Sequence, residues 1–112
     1  MSVSLGIYKG KIFDSFASQF VTAIPVSFQT VWDNEWERAI SECGIVIFIN
    51  NNDFAVNDIP AVLTELDTIC NWSHNNTGEK TPYIQTRIKE LKEYLSRFYQ
   101  EHKNEDYWFS LG

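Results

Sequence analysis

The sequence predicts an α+β fold: a helix-dominated single domain spanning residues 1–112, with a small sheet of two or three strands and about four helices. Three observations predict it. Apolar residues recur at helical spacing in several separate stretches, the opening run alternates with the period of a strand, and one short run near the middle is wholly apolar and rich in β-branched residues. Strands and helices interspersed in that order suit a helical layer covering one small sheet. A content of 44% hydrophobic and 15% aromatic residues is enough to build a core without a disulfide or a metal.

The elements follow in order. From Val3 to Tyr8, Val3, Leu5 and Ile7 alternate with Ser4 and Gly6, which predicts a strand with one buried face that ends at Gly10. Phe13, Phe16, Ala17, Phe20 and Ile24 then recur at helical spacing, and Pro25 closes the stretch because it cannot continue a helical hydrogen-bond ladder. Val31, Trp32, Trp36, Ala39, Ile40 and Cys43 predict a second helix stopped by Gly44. Ile45–Ile49 has the composition of a central strand covered on both faces, and Asn50 to Asp53 that of a turn tolerating left-handed backbone. Asn57 or Asp58 caps a third helix, with Pro60 in its first turn and Ile59, Val62, Leu63, Leu66, Ile69 and Cys70 on its apolar side. Thr81 caps the last and longest helix, with Pro82 at its first position, and Ile84, Ile88, Leu91, Leu95 and Phe98 step by four and three. Tyr107–Leu111 fits either an edge strand or a docked tail.

Charge is the most informative feature for function. The net charge is −6, and it is not spread evenly. Between Val31 and Glu79 nine acids meet a single base, Arg38, for a net of −8. Such a field repels its own members and is retained most readily where it attracts something basic, although acidic surfaces also serve solubility. It argues against nucleic acid and against an anionic membrane as partners, since both would be repelled at long range. No basic region followed by an apolar stretch opens the chain, and the longest apolar run, Ile45–Ile49, is far short of a membrane span, so the expected location is the cytoplasm. Cys43 and Cys70 read as reduced, small hydrophobes.

Signals for catalysis and for cofactors are weak. The five glycines are scattered, so no phosphate-cradling loop is formed, and His74 and His102 have no histidine or cysteine at metal-ligand spacing. Asp67, Cys70 and His74 are spaced by three and four on one helix and contain the parts of a nucleophilic triad. Cys70 also completes its helix's apolar stripe, however, and one continuous helix leaves no independent place for an oxyanion hole. No catalytic residue, metal or cofactor is therefore expected.

Helical geometry sorts the acids into rows. In the second helix Glu35 and Glu42 lie on one flank of the apolar stripe, Asp33 and Glu37 on the other. In the third, Asp58, Glu65 and Trp72 follow at steps of seven, with Asp67 opposite, placing an indole at the end of a carboxylate row. An aromatic anchor beside carboxylates has the character of a protein-binding hot spot. Glu35, Glu42, Asp58 and Glu65 lie beside the apolar stripes, so reversing either pair, Glu35 with Glu42 or Asp58 with Glu65, to Lys is expected to weaken binding and barely affect folding.

Leu5-Gly6-Ile7-Tyr8-Lys9-Gly10, the Ser15-Phe16 and Phe20-Val21 segment, the region around Trp36, and the Asp58–Ile69 stretch with its Ala61-Val62-Leu63-Thr64-Glu65-Leu66 run together resemble a family of bacterial immunity proteins, of the kind that protects a cell from contact-dependent growth inhibition and other polymorphic toxins. The resemblance implies a non-enzymatic, stoichiometric inhibitor of a cognate toxin domain. Many such toxins are nucleases with basic clefts, which an acidic inhibitor can cover. Asp33, Glu35, Glu37, Glu42, Asp58, Glu65, Asp67 and Trp72 are the expected contact residues, chosen by charge and helical geometry alone. A nucleic-acid mimic that binds basic proteins broadly, or another protein-binding adaptor, is the alternative.

Overall fold

The computed structural model describes residues 2–10 and 19–112. Strands β1 (Ser2–Lys9) and β2 (Gln19–Phe28) are followed by a helical segment in three parts: α1 (Gln29–Val31), a π-helical turn (Trp32–Trp36) and α2 (Glu37–Cys43). Then come β3 (Asp53–Ala55), a 3₁₀ turn (Val56–Asp58), α3 (Ile59–Ser73), a second 3₁₀ turn (Gly78–Lys80), α4 (Thr81–His102) and β4 (Tyr107–Leu111). The α+β class predicted from the sequence is thus observed, with four strands rather than two or three. The sheet is antiparallel in the order β2-β1-β4-β3.

β1 follows the alternation of its sequence. Val3, Leu5 and Ile7 are buried, and Leu5 and Ile7 face Leu111 and Phe109 of β4 across the sheet. β4 is therefore a central strand, paired on both sides, and neither an edge nor a loose tail. It seals the core from the C-terminal end of the chain. Phe109 stacks on Phe54 at 5.1 Å between ring centroids and meets Phe98 of α4 edge-on at 5.3 Å.

The helix expected over Phe13–Ile24 is overturned where it can be seen. Its first part lies outside the described residues, but from Gln19 onward the chain is β2. Val21, Thr22 and Ile24 are β-branched and suit a pleated surface, and pairing with β1 satisfies the backbone on one side. Pro25 sits inside this strand instead of ending a helix. It can do so because β2 is an edge and the register shifts between Val3 and Ser4, next to the Ser4–Pro25 pair. Arg87 of α4 donates to the Pro25 carbonyl at 2.5 Å and to that of Val26 at 3.2 Å, and the Phe28 N–H donates to the Tyr83 hydroxyl at 3.0 Å.

The helical segment after β2 brings two indoles into the core. Trp32 and Trp36 are both fully buried and stacked, with centroids 5.5 Å apart, and Phe48 packs against both. The π-helical turn spans these two indoles. Gly44 then ends α2 in the left-handed region (φ 68°), where a side chain would be strained, and the Ile45 N–H returns to the Ile40 carbonyl at 3.0 Å in the manner of a Schellman turn.

Ile45–Ile49 is not the central strand its composition predicts. It is a loop, with Phe48 turned inward and Val46 left 70% exposed. Its amides are met by a side chain from elsewhere in the fold, as described below. The turn expected over Asn50 to Asp53 forms at Asn50 and Asn51, the latter at a φ of 61°, while Asp53 already belongs to β3. α3 and α4 keep their predicted apolar stripes: Ile59, Val62, Leu66 and Ile69 from one, Ile84, Ile88, Leu91 and Leu95 from the other, are all buried. Thr81 opens α4 but does not cap it, since its hydroxyl turns back to donate to the Ser73 carbonyl at 3.0 Å.

Candidate functional site

Arg38, the one base in the acidic segment, is consumed within the fold. It donates to Glu35 at 2.8 Å and to the Asn76 carbonyl at 2.6 Å, and its guanidinium lies 5.0 Å from the centre of the Trp72 ring. The Trp72 indole N–H donates in turn to Glu42 at 3.1 Å. Glu35, Arg38, Glu42 and Trp72 thus form one cluster that ties α2 to the end of α3. Trp72 keeps its place seven residues beyond Glu65 on α3, and its indole turns to Glu42 of α2. The indole is half-buried, and one ring face is covered by the cation.

The other acids of α3 are drawn inward or paired. Glu65 accepts the backbone N–H groups of Val46 at 2.9 Å, Ile47 at 3.1 Å and Phe48 at 2.8 Å, so its carboxylate replaces the neighbouring strand that Ile45–Ile49 would have needed. Reversing its charge would therefore strike the fold, contrary to the expectation for a free surface acid. Asp58 reaches back to accept the Ala55 N–H at 3.0 Å at the entry to α3, and Asp67 pairs with Lys92 of α4.

Asp33 and Glu37 remain on the exposed surface with neutral donors. Asp33 accepts the Gln29 side-chain amide at 2.9 Å, and Glu37 accepts the buried Trp32 indole N–H at 3.2 Å. Beside Glu37 runs an open trough of about 460 Å³, walled by Ile40, Ile45, Val46 and Ile49 and reaching Asn50. Sequence reasoning missed this trough. The available signal was the apolar run that continues directly past Gly44, but a strand would have buried it.

The three residues of the candidate triad are not assembled. Asp67 pairs with Lys92, the Gln85 side-chain amide lies 3.1 Å from Nδ1 of His74, and among the described residues no hydrogen bond joins Asp67, Cys70 and His74. Cys70 sits half-buried at the groove between α3 and α4, beside Ile88, Lys89 and Lys92. Burial, with Glu42 beside it, pushes the Cys43 thiol up from its ordinary value of 9.0, away from the range of a reactive thiolate. Among the described residues no helix is long and apolar enough to cross a membrane. No family model, curated protein or solved structure matches the chain.

Proposed function

We propose that this domain is a non-enzymatic, stoichiometric inhibitor of the immunity-protein type, which binds a basic toxin domain in the cytoplasm and covers its active-site cleft. The observation that carries the reading is the fate of Arg38. The only base between Val31 and Glu79 is paired with Glu35 and held by the Asn76 carbonyl and the Trp72 ring, so it does not reach the other acids of the segment as a direct partner. Asp33, Glu37, Glu42, Asp53, Asp58 and Glu79 are exposed and have no basic partner among the described residues. A partner carrying Lys and Arg would be drawn to this side at long range and would pair with it at contact, which favours fast association and selects against acidic partners. A nuclease cleft, built to hold a phosphate backbone, has the required charge.

Growth protection tests the proposal. Where a secreted protein is encoded beside this chain, its C-terminal domain is expressed in a sensitive strain with and without the chain. Restored growth, and a complex of equal stoichiometry on light scattering, are expected. Toxicity that the chain leaves unchanged, or the absence of any such neighbouring toxin, overturns the reading. Binding of many unrelated DNA-binding proteins with similar affinity would instead identify a nucleic-acid mimic.

A further inference from the structure

The trough beside Glu37 combines three features. First, its carboxylate has no basic partner, as is also true of Asp33, Glu42, Asp53, Asp58 and Glu79 among the described residues. Glu35 has Arg38 and Asp67 has Lys92, whereas the partner of Glu37 is the neutral Trp32 indole, bonded to one carboxylate oxygen at 3.2 Å. The second oxygen accepts no bond among the described residues. The donor is fully buried, so the carboxylate is aimed by the core and not left to swing.

Second, the apolar wall is held in place. The Schellman turn at Gly44 sets Ile40 against Ile45. Glu65 fixes the N–H groups of Val46, Ile47 and Phe48. The Asn52 side chain donates to the Ile47 carbonyl at 2.8 Å, and the Asn51 N–H to that of Leu111 at 2.7 Å. With its backbone bonded at so many points, the loop cannot readily fold Val46 inward, and that side chain stands 70% exposed on the rim. A lone exposed valine is ordinary, but one that rims a trough with three isoleucines extends a continuous apolar surface.

Third, no lysine or arginine among the described residues lines the trough, and it is open along its length instead of closed over. An apolar wall ending in one aimed carboxylate matches a long side chain with a methylene stem and a cationic head. An open trough suits a side chain projecting from a larger surface more than a free small molecule, which would be buried on most sides.

We propose that the trough between the end of α2 and the Glu65-held loop receives an arginine or lysine side chain of the basic protein partner, its stem against Ile40, Ile45 and Val46 and its head at the free oxygen of Glu37. This rests on the reading of the domain as an inhibitor of a basic protein, and it names the point on the acidic side where an anchoring residue enters. Glu37→Gln removes the charge and keeps the indole bond, while Val46→Ser removes part of the wall at an exposed position.

The experiment is a titration of ¹⁵N-labelled protein with N-acetyl-arginine methylamide, followed by amide chemical shifts, with N-acetyl-norleucine methylamide as an uncharged probe. The arginine probe is expected to shift Glu37 and the Gly44–Ile49 amides. Its affinity should fall at least fivefold in Glu37→Gln and in Val46→Ser and stay unchanged in Glu93→Gln, an equal loss of charge at an exposed position of α4 outside the trough. Shifts spread evenly over Asp33, Asp53, Asp58 and Glu79, norleucine binding as tightly as arginine, or no shift at all would each overturn the proposal. Growth protection separates it from the reading beneath it. If the probe binds the trough but the chain does not protect cells, the trough stands and the inhibitor reading falls. If both variants protect as well as the parent and the probe does not bind, the inhibitor reading stands and the trough falls.

Discussion

Removing the Glu65 carboxylate would leave the N–H groups of Val46, Ile47 and Phe48 with no acceptor but water, and Phe48 belongs to the buried Trp32–Trp36 cluster that the loop must hold closed. Hydrogen bonds to a charged acceptor are the stronger kind, so Glu65→Ala should cost about 2 to 3 kcal/mol in urea unfolding, and Glu65→Gln, which keeps one acceptor oxygen, about 1 kcal/mol. A Glu65→Ala variant as stable as the parent would show that the loop stands without its clamp. Cys43 offers a test of a different kind. Its native thiol holds its proton more tightly than the unfolded one, so that contribution to stability is complete below about pH 9 and is lost as pH rises through the raised native value. At pH 8 Cys43 should accordingly be alkylated by iodoacetamide more slowly than in the urea-unfolded chain, and equal rates would contradict the burial. The concentration of acids was legible in the sequence, because charge is a property of composition. Their engagement was not. Nothing local to Glu65 indicates amides 17 to 19 residues away, and nothing local to Trp72 indicates Glu42, 30 residues back.

At the scale of elements, the two misread segments fail for related reasons. Phe16, Phe20 and Ile24 are four residues apart, which imitates a helical stripe, and Pro25 looks like its terminator. The pairing with β1 and the pinning of the Pro25 and Val26 carbonyls by Arg87 decide otherwise, and both are tertiary. Ile45–Ile49 has strand composition but no neighbouring strand, because β3 and β4 pair with each other instead. β1, α3 and α4, by contrast, each bury one face at the period their own residues display, so they could be read directly. Arg87 yields the corresponding prediction. Arg87→Ala should release the C-terminal part of β2 from α4 and destabilise the domain by about 1 kcal/mol, with faster hydrogen exchange at β2 than at β4. Arg87→Lys should recover little, since an ammonium lacks the fork that meets two carbonyls together. Exchange that quickens uniformly across the sheet would mean that β2 is not separately held. The π-helical turn gives another. The Trp36 indole N–H is buried without a partner among the described residues, whereas that of Trp32 bonds Glu37, so Trp36→Phe should cost less than Trp32→Phe by about 1 kcal/mol. The reverse order in urea unfolding would show that the Trp36 donor is satisfied.

Over the whole molecule, the asymmetry of charge makes a kinetic claim. A field of −8 between Val31 and Glu79, with its only base occupied, acts on a basic partner before contact, so it should appear in the association rate and be screened by salt. Once the partner is docked, the rim charges contribute less, and the dissociation rate should respond weakly. Raising ionic strength from 20 to 500 mM should therefore slow association with the proposed basic partner about tenfold or more while changing dissociation far less. Asp33→Lys with Glu37→Lys should mimic that loss at low salt. Both positions are exposed, but Glu37→Lys also removes the acceptor of the buried Trp32 indole N–H, so the double variant should lose about 1 to 3 kcal/mol of stability, and association is compared where it remains folded. The comparison that decides is Glu93→Lys with Glu101→Lys, an equal change in net charge placed on α4, where six bases meet five acids from Lys80 onward. If association depends on the field of the middle segment, the control pair retains most of the parent rate and most of its salt dependence. Should the two double variants slow association equally, total charge alone would govern the encounter, and the concentration of acids between Val31 and Glu79 would mark a soluble surface rather than the face that meets the toxin.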